Sequence, residues 1–386
     1  MSTTWMCVLL AAILLQSCSA QASTSNAACT SKKDKCACNS CHPGPGIAFG
    51  EEASNIRSPA EVVGFLEEQK IKSVRLYHTF KDTIKAFKDS DIELTISISN
   101  ADIKGSGMAW NYDAAEKWVK DNVLPYSKDV HIKAIAVGNE VTSVNDWDLV
   151  SQTEPAMRNI HEALKRANLK DIKVSTPFGM DILEVTWPPS AGAFRVEYAW
   201  NIVKPVLAFL NETNSPFMIN IYPYVSYKND PKDVNLDAAL LNRWCPISVD
   251  FKTGHVYKNL LFQLLDATVA AMGKMGFPDV SLLVSETGWP SAGHAMATPE
   301  HAAMYNQNLV NLVVKGVGTP LRPSSPINAF IYSLFNENMR RGEDELRNYG
   351  LFNANFSPVY DINWEGEDVN CVANKVDIDS QLSSSS

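Results

Sequence analysis

The sequence predicts a parallel α/β fold of the (β/α)8 barrel type. From residue 46 almost to the end, short β-branched runs alternate with stretches of helical period. Eight such runs can be counted, the strand number of a closed barrel. No linker-like segment interrupts about 315 residues, and the competing doubly wound open sheet lacks a Gly-x-Gly-x-x-Gly turn after any strand.

In order, the predicted strands are 46–50, 73–77, 93–99, 132–137, 172–176, 217–222, 281–285 and 329–334. Helices are predicted between them at 58–69, opened by a Ser-Pro start, and at 79–88, 114–123, 154–167, 198–210, 257–275 and 299–315. The predicted division is a leader at 1–20, a cysteine-rich extension at 21–45, the barrel at 46–362 and a polar tail at 363–386. Neither an internal repeat nor a second domain is visible.

Composition narrows the chemistry. The chain has 386 residues, 45% of them hydrophobic, with 34 Lys+Arg against 43 Asp+Glu and a formal net charge of −9. That apolar fraction is ample for a core, so the chain is not a disordered acidic tail. Phosphate affinity comes from Lys and Arg clusters, and none is longer than Lys32-Lys33, which argues against a nucleic-acid partner. A polar, uncharged substrate fits better.

The first twenty residues carry no charged side chain, and their apolar run, 6–15, is too short to span a bilayer. They read as a secretory signal cleaved after Ala20 or Ala22, with an uncleaved anchor or a lipidated Cys18 as alternatives. The mature protein is expected to be secreted to the extracellular space or cell wall, without a transmembrane segment and as a monomer. Cys29, Cys36, Cys38, Cys41, Cys245 and Cys371 remain after cleavage, an even number that suggests disulfides in an oxidising compartment. A metal cluster at Cys36, Cys38 and Cys41 is the alternative, although no matching second half follows. Asn211-Glu-Thr213 is an N-glycosylation acceptor pattern, and Asn355-Phe-Ser357 a weaker one because Pro358 follows.

In a barrel of this kind the chemistry sits at the C-terminal ends of the strands. Those ends carry Tyr77, Asn100, Asn139, Glu140, Tyr222, Tyr224, Glu286, Trp289, Phe335, Asn336 and Glu337. Carboxylates, amides and aromatic rings converging in one mouth suit a carbohydrate, whose hydroxyls need hydrogen-bond partners and whose C–H faces stack on rings. Glu140 ends the strand Ala-Ile-Ala-Val-Gly-Asn-Glu, and Glu286 ends Leu-Leu-Val-Ser-Glu. Two such glutamates, on the fourth and seventh strands, point to glycosidic cleavage by one protonated and one ionised carboxyl group.

The blocks GIAFG (46–50), VRLYHTF (74–80), VGNEV (137–141), WPPSAGAF (187–194), INIYPY (219–224), SETGWPSAG (285–293), FNEN (335–338) and YGLFNANFSPVY (349–360) resemble, in order, the signature blocks of plant-type β-1,3-glucanases of glycoside hydrolase family 17. The resemblance implies a (β/α)8 fold and a retaining mechanism, with Glu140 as general acid/base and Glu286 as nucleophile. It implies endo cleavage of β-1,3-glucan without a metal or organic cofactor. By the same resemblance Asn139 hydrogen-bonds the sugar 2-OH and Glu337 supports the site. Tyr77, Asn100, Tyr222, Trp289 and Phe335 are expected to line the cleft.

The chain departs from that pattern in three places. Arg340 stands where the family usually has Lys, and Leu346 where it commonly has Glu, with Glu345 one residue earlier. The cysteine-rich segment before Gly46 is also unusual. On the same barrel, a mixed-linkage β-1,3-1,4-glucanase or a glucan transglycosylase is the rival enzyme; a catalytically weak glucan-binding wall protein is the rival from another class.

Overall fold

The computed structural model describes residues 44–242 and 246–366. The leader, most of the cysteine-rich extension, the polar tail beyond residue 366 and all six cysteines discussed above lie outside the described residues.

All eight predicted strands form: β1 (Gly46–Phe49), β2 (Ser73–Leu76), β3 (Glu93–Ile98), β4 (Ile132–Val137), β5 (Lys173–Ser175, continued at Pro177–Phe178), β6 (Phe217–Asn220), β7 (Leu282–Thr287) and β8 (Ala329–Tyr332). They pair in parallel in chain order, and β1 returns to β8 with Gly46 opposite Phe330. The fifth strand is split at Thr176: its first part pairs with β4 and its second with β6, which closes the barrel.

The principal helices are α1 (Pro59–Glu68), α2 (Lys81–Ala86), α3 (Asn100–Ser106), α4 (Tyr112–Asn122), α5 (Trp147–Arg166), α6 (Lys204–Thr213), α7 (Pro223–Asn229), α8 (Leu260–Lys274) and α9 (Pro299–Val314). Local chemistry sets their starts. Ser58 accepts from the Glu61 N–H while the Glu61 carboxylate accepts from the Ser58 N–H, and Pro59 occupies the first turn, where a missing N–H costs nothing. Val62, Val63, Phe65 and Leu66 then face the sheet. Among the described residues, no helix is long and apolar enough to cross a membrane.

Two predicted helices change, and two short ones form beyond those predicted. The helix expected from residue 154 starts at Trp147, because Asp146 caps it and Leu149 and Val150 are buried; Pro155 lies inside it. The helix expected over 198–210 is broken into Val196–Tyr198, a π-helical stretch Ala199–Val203 and α6. The short helices α3 and α7 were not predicted, since a helix of seven residues with one or two buried side chains leaves little periodicity to read.

The main core lies between sheet and helices, while Ala134, Ala136 and Met218 form a smaller cluster of their own. Polar side chains of β2, β4, β6 and β7 converge at the C-terminal mouth.

Candidate active site

The mouth is organised by a residue that sequence reasoning passed over. Arg75, in the middle of β2, is 0% exposed, and its neighbours Val74 and Leu76 join the core. Its guanidinium donates from Nη1 to Glu286 Oε1 at 2.9 Å and to the Ser285 carbonyl at 2.8 Å, and from Nη2 to Asn139 Oδ1 at 2.8 Å. A buried cation requires such partners, and a planar fork can serve several of them at once.

Asn220, at the end of β6, is the second missed residue. Its Nδ2 donates to Glu140 Oε1 at 2.7 Å, and its Oδ1 accepts from Ser285 Oγ at 2.7 Å. One amide thus links Glu140 to the β7 strand that carries Glu286. Because Arg75 can only donate, Asn139 must turn its carbonyl oxygen to the guanidinium, which leaves its NH2 end on the other side of the amide.

The two glutamates occupy different environments. Glu286 is buried, with Oε1 on Arg75 and Oε2 accepting from Tyr222 Oη at 2.8 Å. Among the described residues no ion pair reaches the Glu140 carboxylate; Glu140 sits in the left-handed region at φ 46°, held by its N–H to the Pro177 carbonyl at 2.9 Å. Burial foremost, then the Glu286 charge, raises its pKa to about 7, against the opposing hydrogen bond from Asn220. Burial and the Glu286 charge also push the Tyr77 and Tyr222 phenols well up, so both are neutral beside the carboxylate.

The raised pKa has a consequence for stability. A carboxyl group with a higher pKa in the folded chain binds more protons there than in the unfolded chain across the interval between the two values. It therefore costs nothing below about pH 4.5, costs progressively more up to about 7 and a constant amount above. Glu140→Gln should raise the melting temperature at about pH 8 and leave it near the parent value at about pH 4, as read by thermal melts at the two pH values.

Glu337 is buried at the β8 end, accepting from Tyr332 Oη and from the Glu52 N–H at 3.2 Å, with Arg340 Nη1 at 3.4 Å. Gly50 makes room for it: a Cβ there would overlap the Glu337 carboxylate. Arg340 also reaches Tyr332 Oη and lies 3.5 Å from Glu52, so the Arg in place of Lys joins three groups of this corner. Glu345, rather than Leu346, is the buried acid of the next loop. Its carboxylate pairs with Lys228 of α7 while Leu346 packs against the core. Gly293, at φ 98°, permits this approach, since a Cβ there would run into the Glu345 backbone.

Two residues expected to line the cleft do not. Trp289 is 0% exposed, its Nε1 donating to the Met296 carbonyl at 2.8 Å and its ring packed among Tyr224, Tyr227 and Tyr305. Phe335 is buried against Phe49, Phe65 and Phe356. Both rings fill space behind the mouth. Asn100 acts on the backbone: its side chain accepts from the Asn139 N–H at 2.8 Å and donates to the Asn139 carbonyl at 2.9 Å, fixing the peptide before Glu140. Tyr77 and Tyr222 remain half-buried beside Glu286. Among the described residues, no group of three His, Cys, Asp or Glu side chains is placed to hold a metal ion.

Comparison with known proteins places the barrel in a family. The model of glycosyl hydrolases family 17 matches residues 46–364. A probable glucan endo-1,3-beta-glucosidase A6 of Arabidopsis thaliana is 37% identical over 327 residues, 83% of this chain and 68% of its own length. Glucan endo-1,3-beta-glucosidase 12 of the same plant is 40% identical over 332 residues, and the chain spans 61% of that longer protein. Among solved structures, the β-1,3-glucanase and allergen CJP38 of Cryptomeria japonica pollen superposes with a TM-score of 0.80 at 38% identity, over 84% of this chain and 100% of that one. With the barrel, the paired carboxyl groups and the family match in agreement, the chain belongs to glycosyl hydrolases family 17.

Proposed function

We propose that the chain is a retaining endo-β-1,3-glucanase, exported and acting as a monomer on β-1,3-glucan of the laminarin or callose type, with no metal or organic cofactor. The observation that carries the reading is the pair of glutamates in one hydrogen-bonded network, one bound to a buried guanidinium and the other pushed up to about 7. Relatives named glucan endo-1,3-beta-glucosidases support the linkage.

In this reading Glu286 attacks the anomeric carbon as Glu140 gives its proton to the departing oxygen, forming a glycosyl ester and a free sugar hydroxyl. Esterification removes the Glu286 charge, one of the causes that hold the Glu140 pKa up. Glu140, now ionised and more acidic, takes a proton from water as the water oxygen bonds to the anomeric carbon and the ester breaks. In the same reading the NH2 end of Asn139 donates to the sugar 2-OH, and the Glu337, Tyr332 and Arg340 group braces the β8 wall.

Reducing-end release from laminarin and from lichenan, with product anomers followed by NMR, tests the reading. Cleavage of laminarin with β product first, and little release from lichenan, is the expected result. Equal or preferred cleavage of lichenan would assign the mixed linkage instead, and binding without release would overturn the enzyme. The kcat/KM profile should fall above about pH 7 as Glu140 loses its proton.

A further inference from the structure

We propose that an aromatic patch shared by the stretch that follows Glu140 and the connection after β5, built on Trp147 and Tyr198, is a platform on which the leaving-group side of the glucan stacks. The platform rests on the glucanase reading above and adds a contact to it.

Trp147 opens α5 and is 47% exposed. The Tyr198 ring, from the long connection after β5, lies beside it at 5.5 Å between centroids and 31° between planes. Tyr198 Oη donates to the carbonyl of Thr142 at 3.4 Å, which ties the pair to the stretch that begins at Glu140. Val144, three residues before Trp147, and Val196, two residues before Tyr198, are exposed as well. Two stretches that are distant in sequence thus leave aromatic side chains together, with Trp147 in solvent, tied through Thr142 to the loop that begins at Glu140. Such a cluster at the rim of a site marks a binding surface more often than isolated exposed side chains do.

The patch is held still. Asp146 caps α5 through the Leu149 N–H at 3.1 Å and pairs with Lys104 at 2.7 Å. Tyr198 stands directly before the π-helical stretch Ala199–Val203, a local widening found disproportionately at functional sites. Trp200 is also exposed, yet Lys204 Nζ lies 4.6 Å from its ring centroid and covers one face. Trp147 has a neutral neighbour on its side, which suits the C–H face of an uncharged sugar.

The side of the cleft follows from the chemistry. Glu140, as acid, hands its proton to the leaving oxygen, so the departing part of the chain lies over the loop that carries Glu140. That loop follows β4, and the other half of the patch follows β5, both apart from the β7 and β8 walls that carry Glu286 and Glu337. A glucan with sugar units beyond the cleaved bond gains this contact, and a substrate whose leaving group is a single aryl ring gains little of it.

The test compares Trp147→Ala, Trp147→Phe and the parent on a long laminarioligosaccharide and on an aryl β-laminaribioside. For Trp147→Ala, kcat/KM on the long chain should fall about three- to tenfold more than on the aryl glycoside, with Trp147→Phe recovering part of the difference. An equal change on both substrates, including no change on either, would overturn the platform while leaving the glucanase reading intact. Parent enzyme inactive on every β-1,3-glucan would sink the glucanase reading and the platform with it.

Discussion

Glu286→Ala is expected to lower laminarin hydrolysis on the order of 10⁴-fold or more, because no other carboxylate can form the glycosyl ester. The side chain it removes is buried and held at both oxygens, by Arg75 and by Tyr222. Truncation to Ala therefore opens a polar pocket on the face of the sugar ring opposite the leaving group. Azide added with an aryl β-laminaribioside should enter that pocket and give the α-glycosyl azide, a single displacement with inversion. In Glu140→Ala the ester still forms with a good leaving group but water is not deprotonated. Azide, which needs no general base, should intercept the ester and give the β-glycosyl azide. NMR of the two products checks the assignment: the opposite pairing of anomers would exchange the two roles.

The site was legible in the sequence only where a strand delivers a chemically active side chain at its own end. Glu140 and Glu286 follow apolar runs directly, so their positions at the barrel mouth could be read from period and fold. Arg75 sits inside β2, and Asn220, which ends β6, lies inside the longer strand expected at 217–222; a polar residue within a strand reads as an interruption, and the partners of both come from other strands far away in sequence. A signal was present nonetheless. Strands of a parallel barrel are covered on both faces, so an Arg between Val74 and Leu76 must be buried, and a buried Arg must have an acidic or amide partner. Trp289 and Phe335 failed in the opposite direction. They follow strand ends as cleft residues do, and only tertiary packing decides that their rings turn away from the mouth. The split of β5 at Thr176 was invisible for a similar reason, since the residues 172–176 and Pro177–Phe178 differ only in which neighbour each pairs with.

Because Arg75 touches Glu286, Asn139 and the Ser285 carbonyl together, its replacement should cost both fold and chemistry. Removing one partner of a buried ion pair leaves the other charge uncompensated, a penalty of about 3–5 kcal/mol. In Arg75→Ala, Glu286 can escape that penalty by taking up a proton, which would abolish its nucleophilicity until the pH is raised. The acid limb of kcat/KM should therefore move upward, with a loss on the order of 10²-fold even at the new optimum, because Asn139 and Glu286 are no longer held in register. Arg75→Lys keeps the charge but not the fork; an ammonium cannot serve Asn139 and Glu286 in the same plane. Its acid limb should move less than that of the Ala variant, while its rate still falls. Thermal melts and pH–rate profiles on the two variants separate the effects. A lowered melting temperature with an unmoved acid limb in both would make Arg75 a packing residue alone. An upward limb, larger in Ala than in Lys, would place it as the group that keeps Glu286 ionised.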